Sequence, residues 1–125
     1  MNDKERKERG AEAEQRAMEH LLTEGYTIRE RNWRPRNSHL EVDIIAQTGR
    51  TLVFAEVKAR GDADFDPADA VDGRKMRRLA RAAAIYLAQQ PEDDLEYRFD
   101  VITVRGCGAE AVLDHIPDAF LPPLS

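Results

Sequence analysis

Asp43, Glu56 and Lys58 have the types and spacing for phosphodiester chemistry. They fall on two short runs, about 40–47 and 51–58, rich in apolar and β-branched residues. Thr48-Gly49-Arg50 joins the runs, and a glycine-containing link of this length signals a hairpin. With the turn centred between Gly49 and Arg50, opposed residues have numbers adding to 99. Asp43 then faces Glu56, Glu41 faces Lys58, and Ile45 faces Phe54. Side chains two apart share a face of a strand, so Glu41, Asp43, Glu56 and Lys58 project together. Val42, Ile44, Ala46, Val53, Ala55 and Val57 make the other face, wholly apolar and expected to be core.

An amphipathic hairpin with a solvated face accounts for Glu41 opposite Lys58, an ordinary cross-strand ion pair worth ~0.2–1 kcal/mol. It does not account for Asp43 opposite Glu56, because like charges directly opposed destabilise a sheet. A divalent cation between them reverses the sign, and Mg²⁺ takes oxygen ligands, often one or two carboxylates. Glu14 adds a third carboxylate. It shares a helical stripe with Ala17, Met18, Leu21 and Leu22, where a charge is costly unless paired, protonated or bound to metal. The alternative places Glu14 at the stripe's edge, reaching water or pairing with Arg9 or Arg16.

On the chemical reading, Asp43 and Glu56 hold Mg²⁺ or Mn²⁺. The backbone carbonyl of Val57 is a third ligand, and Glu14 binds directly or through water. Lys58 orients or deprotonates the attacking water and offsets negative charge. Arg74, Lys75, Arg77 and Arg78 on the following helix, with Arg34, would hold a nucleic-acid backbone; Lys75 lies nearest the apolar stripe. Other chemistries fit less well. The chain lacks a phosphate-binding glycine loop and a nucleophile elbow. His20, His39 and His115 are far apart in sequence without zinc-site spacing, and His39, close to Glu41, reads as a loop residue facing water.

The elements that must position these groups follow from periodicity and punctuation. Residues 3–24 read as a helix capped by Asn2 or Asp3 and stopped by Gly25. A strand over 26–32 precedes a Trp33-Arg34-Pro35-Arg36 loop and the hairpin. An Asp- and Gly-rich loop, 61–67, leads to a helix over 72–90 that buries Met76, Leu79, Ala80, Ala83 and Leu87. Strands over 97–104 and 110–116 follow, then an extended tail over 117–125. The order α-β-β-β-α-β-β predicts an α/β fold with a mixed central sheet of about five strands and flanking helices. At 125 residues the chain is expected to form one domain, 1–125.

Composition bounds the partners. The net charge is −5, which weakens the expectation of non-specific nucleic-acid binding, although the basic residues cluster. No apolar run is long enough for a membrane span. Lone Cys107, between two glycines, and the charged N-terminus suggest a cytoplasmic protein.

Glu41-Val-Asp43 and Glu56-Val-Lys58 resemble the PD-(D/E)xK nuclease pattern. More narrowly, the chain is similar to the YraN-like family of uncharacterised bacterial proteins, related to archaeal Holliday-junction resolvases. The similarity runs from Gly10 to about Phe120, through Glu14, Gly25-Tyr26, Asn32-Trp33-Arg34, both strand motifs, Val71 with Lys75, and Arg98-Phe99-Asp100-Val101. It implies a restriction-endonuclease-like fold, a divalent metal and nucleic-acid binding. Ala13 and Leu40 replace glycines of the family pattern, the latter at the entrance to the hairpin. The expected function is therefore a Mg²⁺- or Mn²⁺-dependent endonuclease acting on DNA, with branched or damaged DNA in repair or recombination as the implied substrate. Two alternatives stand beside it. One is a non-catalytic nucleic-acid-binding module on the same fold. The other is a protein-interaction or structural role, with a homodimer open, in which the site is vestigial.

Overall fold

The computed structural model of the chain describes residues 2–60, 73–106 and 108–119. The elements are α1 (Asp3–Thr23), β1 (Thr27–Trp33), β2 (Val42–Thr48), β3 (Thr51–Arg60), α2 (Gly73–Ala88), β4 (Glu96–Arg105) and β5 (Val112–Ile116). A short 3₁₀ turn, Gly108–Glu110, delays the last strand beyond its expected start. The strands form one mixed sheet in the order β1-β2-β3-β4-β5. Only β3 and β4 pair in parallel, across the connection that carries α2, since parallel neighbours require a crossover. This is the α-β-β-β-α-β-β arrangement of a restriction-endonuclease-like fold.

Local chemistry sets the boundaries. Asn2 Oδ1 accepts the Glu5 amide at 2.8 Å and caps α1. Gly25, at φ 92°, ends α1, with the Gly25 and Tyr26 amides bonded to Leu22 and Leu21 carbonyls. Gly49, at φ 58°, is the first central residue of the two-residue turn that pairs Thr48 with Thr51. The register from Thr48↔Thr51 to Ile44↔Ala55 is the one the hairpin arithmetic requires. Trp33, expected in a loop, instead ends β1 opposite Val42.

The sheet is buried on both faces, which corrects the expectation of one apolar and one charged face. α1 covers Ile44, Ala46, Val53, Ala55, Ile102 and Val104 with Ala13, Ala17 and Leu21. α2 covers Val42, Ile45, Leu52, Phe54, Phe99 and Val101 with Leu79, Ala82, Ala83 and Tyr86. Strands sandwiched between helices read as near-continuous apolar runs, so the alternation was only superficially that of a half-exposed hairpin. Val42 joins the α2 side whereas Ile44 stays on the α1 side. Asn32, level with Asp43 between the paired Arg31↔Ile44 and Trp33↔Val42, has φ 51°. Backbone this far from extended geometry breaks the simple alternation of faces on β1 itself.

The helix stripes also differ in detail. On α1 the buried line is Ala13, Ala17 and Leu21, spaced by four, and Leu22 is left half-exposed at the margin. On α2, Ala82 and Tyr86 join Leu79 and Ala83 as buried residues, while Met76, Ala80 and Leu87 are partly buried. The Tyr86 ring packs edge-on against Trp33 at 5.0 Å and Phe54 at 6.0 Å, and its hydroxyl accepts from Arg29 at 3.1 Å. A phenol with a satisfied hydroxyl is well suited to a buried position.

The segment after β5 is not extended at its start. Asp118 has φ 52°, and the Ala119 amide donates to the Phe99 carbonyl at 2.8 Å, returning the chain to β4. The Asp- and Gly-rich loop, Val71, Cys107 and residues 120–125 lie outside the described residues. No helix among the described residues is long and apolar enough to cross a membrane.

Candidate active site

The carboxylates singled out in the sequence come together where the β2–β3 ladder stops. Pairing ends at Ile44↔Ala55, one residue short of the expected Asp43–Glu56 pair. Asp43 Oδ2 instead accepts the Val57 amide at 2.8 Å, taking a donor that a longer β2 backbone could have used. The Asp43 carboxyl is thereby fixed at the ladder's end. Glu56 is on the α2 side of β3 and accepts from Lys75 Nζ at 2.9 Å, with only 12% of its side chain exposed. Lys58 is exposed.

Glu14 arrives from α1. Ala13 and Ala17, on either side of it in the buried line, are 2% and 0% exposed, and such small side chains let the helix approach the sheet closely. Glu14 Oε1 is buried and has no hydrogen-bond partner. Leaving such an atom unsatisfied costs about 1–3 kcal/mol, more for a charged group. Burial pushes the Glu14 carboxyl above its ordinary pKa. Glu41 and Glu56 push the same way, against a hydrogen bond from Asn32 and the charge of Arg31.

Asp43 feels the same field more strongly. Burial first, and then the Glu56 carboxylate, push its pKa up to about 8. The Val57 amide opposes the rise, and Glu14 and Glu41 add to it. At neutral pH the set therefore favours a proton on Asp43 over a further unneutralised charge. Like charges sharing a buried site raise one another's pKa in just this way, and a bound cation inverts the effect.

The donor chemistry fits a hard divalent ion. The side-chain donors Asp43, Glu56 and Glu14 are all carboxylate oxygens, suited to Mg²⁺ or Mn²⁺ rather than a thiophilic metal. The orphaned Glu14 oxygen is an observation of the same kind, since it lacks the partner a cation would be. Among the described residues, however, no three carboxylate, imidazole or thiol groups are already gathered into a cage. Two of the three carboxylates are engaged, Asp43 on the Val57 amide and Glu56 on Lys75.

Other residues take places that the sequence did not assign. Glu41 pairs with Arg34 at 2.9 Å rather than with Lys58, so Arg34 is already bonded at the rim of the site. Arg34 reaches Glu41 from the loop after β1, a contact that strand pairing alone could not reveal. Arg74, Arg77 and Arg78 are exposed on α2, and Arg78 donates to the His39 carbonyl at 3.2 Å. His39 itself is exposed. Sequence reasoning missed the Lys75–Glu56 pair, although both residues had been singled out separately.

It also missed a second polar cluster, on the α1 side of β4. Asp100 is fully buried and accepts from Arg98 at 2.9 and 3.1 Å, from His115 at 2.7 Å and from the Asp118 amide at 3.0 Å. His115 in turn meets His20 at 3.1 Å, and Arg98 donates to the Tyr26 hydroxyl. Distance in sequence had separated these histidines; the fold joins the end of α1 to β5. The one available signal was the two-residue spacing of Arg98 and Asp100, which puts them on one strand face.

Comparison with other proteins places the chain in context. The uncharacterised protein family UPF0102 matches residues 13–104. The chain belongs to that family. A UPF0102 protein of Bacteroides thetaiotaomicron is 43% identical over 121 residues, covering 96% of this chain and 98% of that protein. One from Geobacter metallireducens is 40% identical over 112 residues, covering 89% and 90%. One from Myxococcus xanthus is 39% identical over 117 residues, covering 93% and 91%. UPF0102 membership thus extends over both strand motifs, Glu14 and Lys75, and the YraN-like resemblance is to this same family.

Proposed function

We propose that this UPF0102 protein is a divalent-metal-dependent endonuclease that hydrolyses phosphodiester bonds in DNA, with branched or damaged DNA as the substrate class. The observation that carries the reading is the group of under-compensated carboxylates at the end of the β2–β3 ladder: Asp43, raised to about 8 by burial and Glu56, beside the partnerless oxygen of Glu14. A solvated charged face would have no such strain.

Asp43, Glu56 and Glu14 would hold Mg²⁺ or Mn²⁺, with the Val57 carbonyl as a further ligand. Bound there, the ion supplies Lewis acidity toward the phosphate and lowers the pKa of a bound water. Lys58 sits two residues beyond Glu56, on the rim in contact with solvent. Its ammonium orients the attacking water and balances charge on the phosphate oxygens, and a neutral amine at the same place would accept the proton. The Val57 amide holds Asp43 in position, so that this carboxylate need not reorganise during the reaction. Arg74, Arg77 and Arg78 present an exposed cationic helix face for the DNA backbone, Lys75 extends that face toward Glu56, and Arg34 lies across the site on Glu41.

The test is a cleavage screen with junction, flap, single-stranded and duplex substrates, with and without Mg²⁺ or Mn²⁺. Cleavage that requires the metal and falls by at least about a thousandfold in Asp43→Ala, with folding preserved, supports the proposal. Absence of cleavage across the whole set with either metal overturns it.

A second reading is favoured by one observation, the ammonium of Lys75 on Glu56. A chain that kept this pair in every state would bind nucleic acid through α2 without turning it over. In that case DNA affinity falls when Arg74, Arg77 and Arg78 are neutralised and is unchanged by Lys58→Ala.

A further inference from the structure

Lys75 lies in the first turns of α2 and reaches back to the sheet, where its ammonium is 2.9 Å from Glu56 Oε1. The two partners are unequally placed. The Glu56 side chain is 12% exposed and the Lys75 side chain 41%. An isolated carboxylate at that depth is costly, whereas a lysine on a flexible four-carbon stem can return its head to water at little cost. The pair therefore serves Glu56 more than it serves Lys75.

The ammonium on Glu56 leaves Asp43 and Glu14 without an ion-pair partner among the described residues. Glu14 Oε1 has no hydrogen-bond partner, and among the described residues no three ligating groups are gathered. An ammonium and a divalent ion would compete for the Glu56 carboxylate, yet only the divalent ion can draw in Asp43 and Glu14 as well. Both cannot occupy the same place.

We propose that Lys75 is an internal counter-ion that occupies Glu56 in the metal-free protein and must be displaced for a divalent cation to bind. The inference rests on the metal site proposed above and adds a competitor built into the chain. Displacement returns the ammonium to the helix that carries Arg74 and Arg78, both exposed, and so adds a cation to the face assigned to the DNA backbone. Lys75 acts as a positioning residue, since it acts through Glu56 and not on the attacking water or the phosphate.

Competition has a measurable consequence. The apparent dissociation constant for metal is the intrinsic one divided by the fraction of molecules with Glu56 released. For a partly exposed pair, removing the ammonium is expected to tighten binding about twofold to fivefold.

The experiment is calorimetric titration of the full chain with Mn²⁺ at neutral pH, comparing wild type with Lys75→Met, Lys75→Gln and Lys75→Arg. Circular dichroism checks that each is folded, and two neutral replacements keep the test alive if one fails to fold. Tighter binding by the neutral variants, with Lys75→Arg no tighter than wild type, supports the inference. Equal or weaker binding by the neutral variants overturns it while leaving the metal site intact. No Mn²⁺ binding by any of the proteins overturns the metal reading itself and the inference with it.

Discussion

Asp43 and Asp100 stand on β2 and β4, the two strands flanking β3, and they are solved in opposite ways. Asp100 is fully buried and surrounded by donors: both nitrogens of the Arg98 fork, His115 and the Asp118 amide. Burial alone would raise its pKa, but these bonds outweigh burial and hold the carboxyl below its ordinary value. Asp43 has one donor, the Val57 amide, and Glu56, Glu14 and Glu41 for neighbours. Its pKa goes the other way, to about 8. The difference separates a charge that the fold needs from one that the fold tolerates. Asp100 binds β4 to β5 and to the turn after it with its own partners. Among the described residues no cationic side chain bonds Asp43 as Arg98 bonds Asp100.

The largest expected effect lies at the satisfied site. Asp100→Ala strands Arg98, whose side chain is 24% exposed, along with the His115 and Asp118 donors. Removing one member of a buried charged network costs about 3–5 kcal/mol. Urea unfolding should show this loss at neutral pH, with or without Mn²⁺. The pH dependence follows from the depressed pKa: Asp100's contribution is full above the ordinary carboxylate value and is lost as pH falls toward the folded value. Wild type should therefore lose stability in acid faster than Asp100→Ala does. A change below about 1 kcal/mol at neutral pH would mean that the network is solvated and the comparison fails.

The next effect belongs to the other site. A cation that binds only the folded protein stabilises it by about 2.7 kcal/mol at a hundred times its dissociation constant. Thermal unfolding with Mn²⁺ should show that increment in wild type and in any variant of the Asp100 cluster that still folds, but not in Asp43→Ala. The increment should grow as pH rises toward about 8, because the raised carboxyl must lose its proton to the ion. An equal Mn²⁺ shift in Asp43→Ala would place the cation elsewhere.

The two sites were not equally legible in the sequence. Turn chemistry at Gly49 was enough to number the hairpin, and its register from Thr48↔Thr51 to Ile44↔Ala55 is the expected one. That register brought Asp43 and Glu56 to the same end of the same two strands. What strand alternation could not show is where pairing stops, because Asp43's carboxylate replaces backbone as the acceptor for Val57. Nor could it show that Val42 and Ile44 go to opposite cores. Helix spacing placed Glu14 on a packed stripe, but the stripe's narrow line through Ala13, Ala17 and Leu21 left Leu22 51% exposed. The Asp100 cluster, beyond the two-residue spacing of Arg98 and Asp100, was hidden for a different reason. Its bonds join residues up to 95 apart, His20 and His115, and only tertiary structure makes them neighbours. Long-range ion pairs such as Lys75 with Glu56 were hidden in the same way, despite the β-α connection between them.

The sharpest test of the contrast is one whose sign should reverse. Asp43→Asn keeps an oxygen for the Val57 amide and removes the charge. A carboxyl with a raised folded pKa binds its proton more tightly in the folded chain than in the unfolded one, so stability drains away as pH rises from the unfolded value to about 8. Asparagine has no proton to lose. Without metal, Asp43→Asn should match wild type near pH ~4 and become the more stable protein by a margin that widens as pH rises toward about 8. With saturating Mn²⁺ the order should invert, since the variant has lost a ligand to the ion that relieves the repulsion. Urea unfolding at the two pH values, with Mn²⁺ and with chelator, gives all four corners. If Asp43→Asn is the less stable protein in chelator at the higher pH, then Asp43 is a satisfied structural carboxylate like Asp100. The strain assigned to the end of the β2–β3 ladder would then be absent.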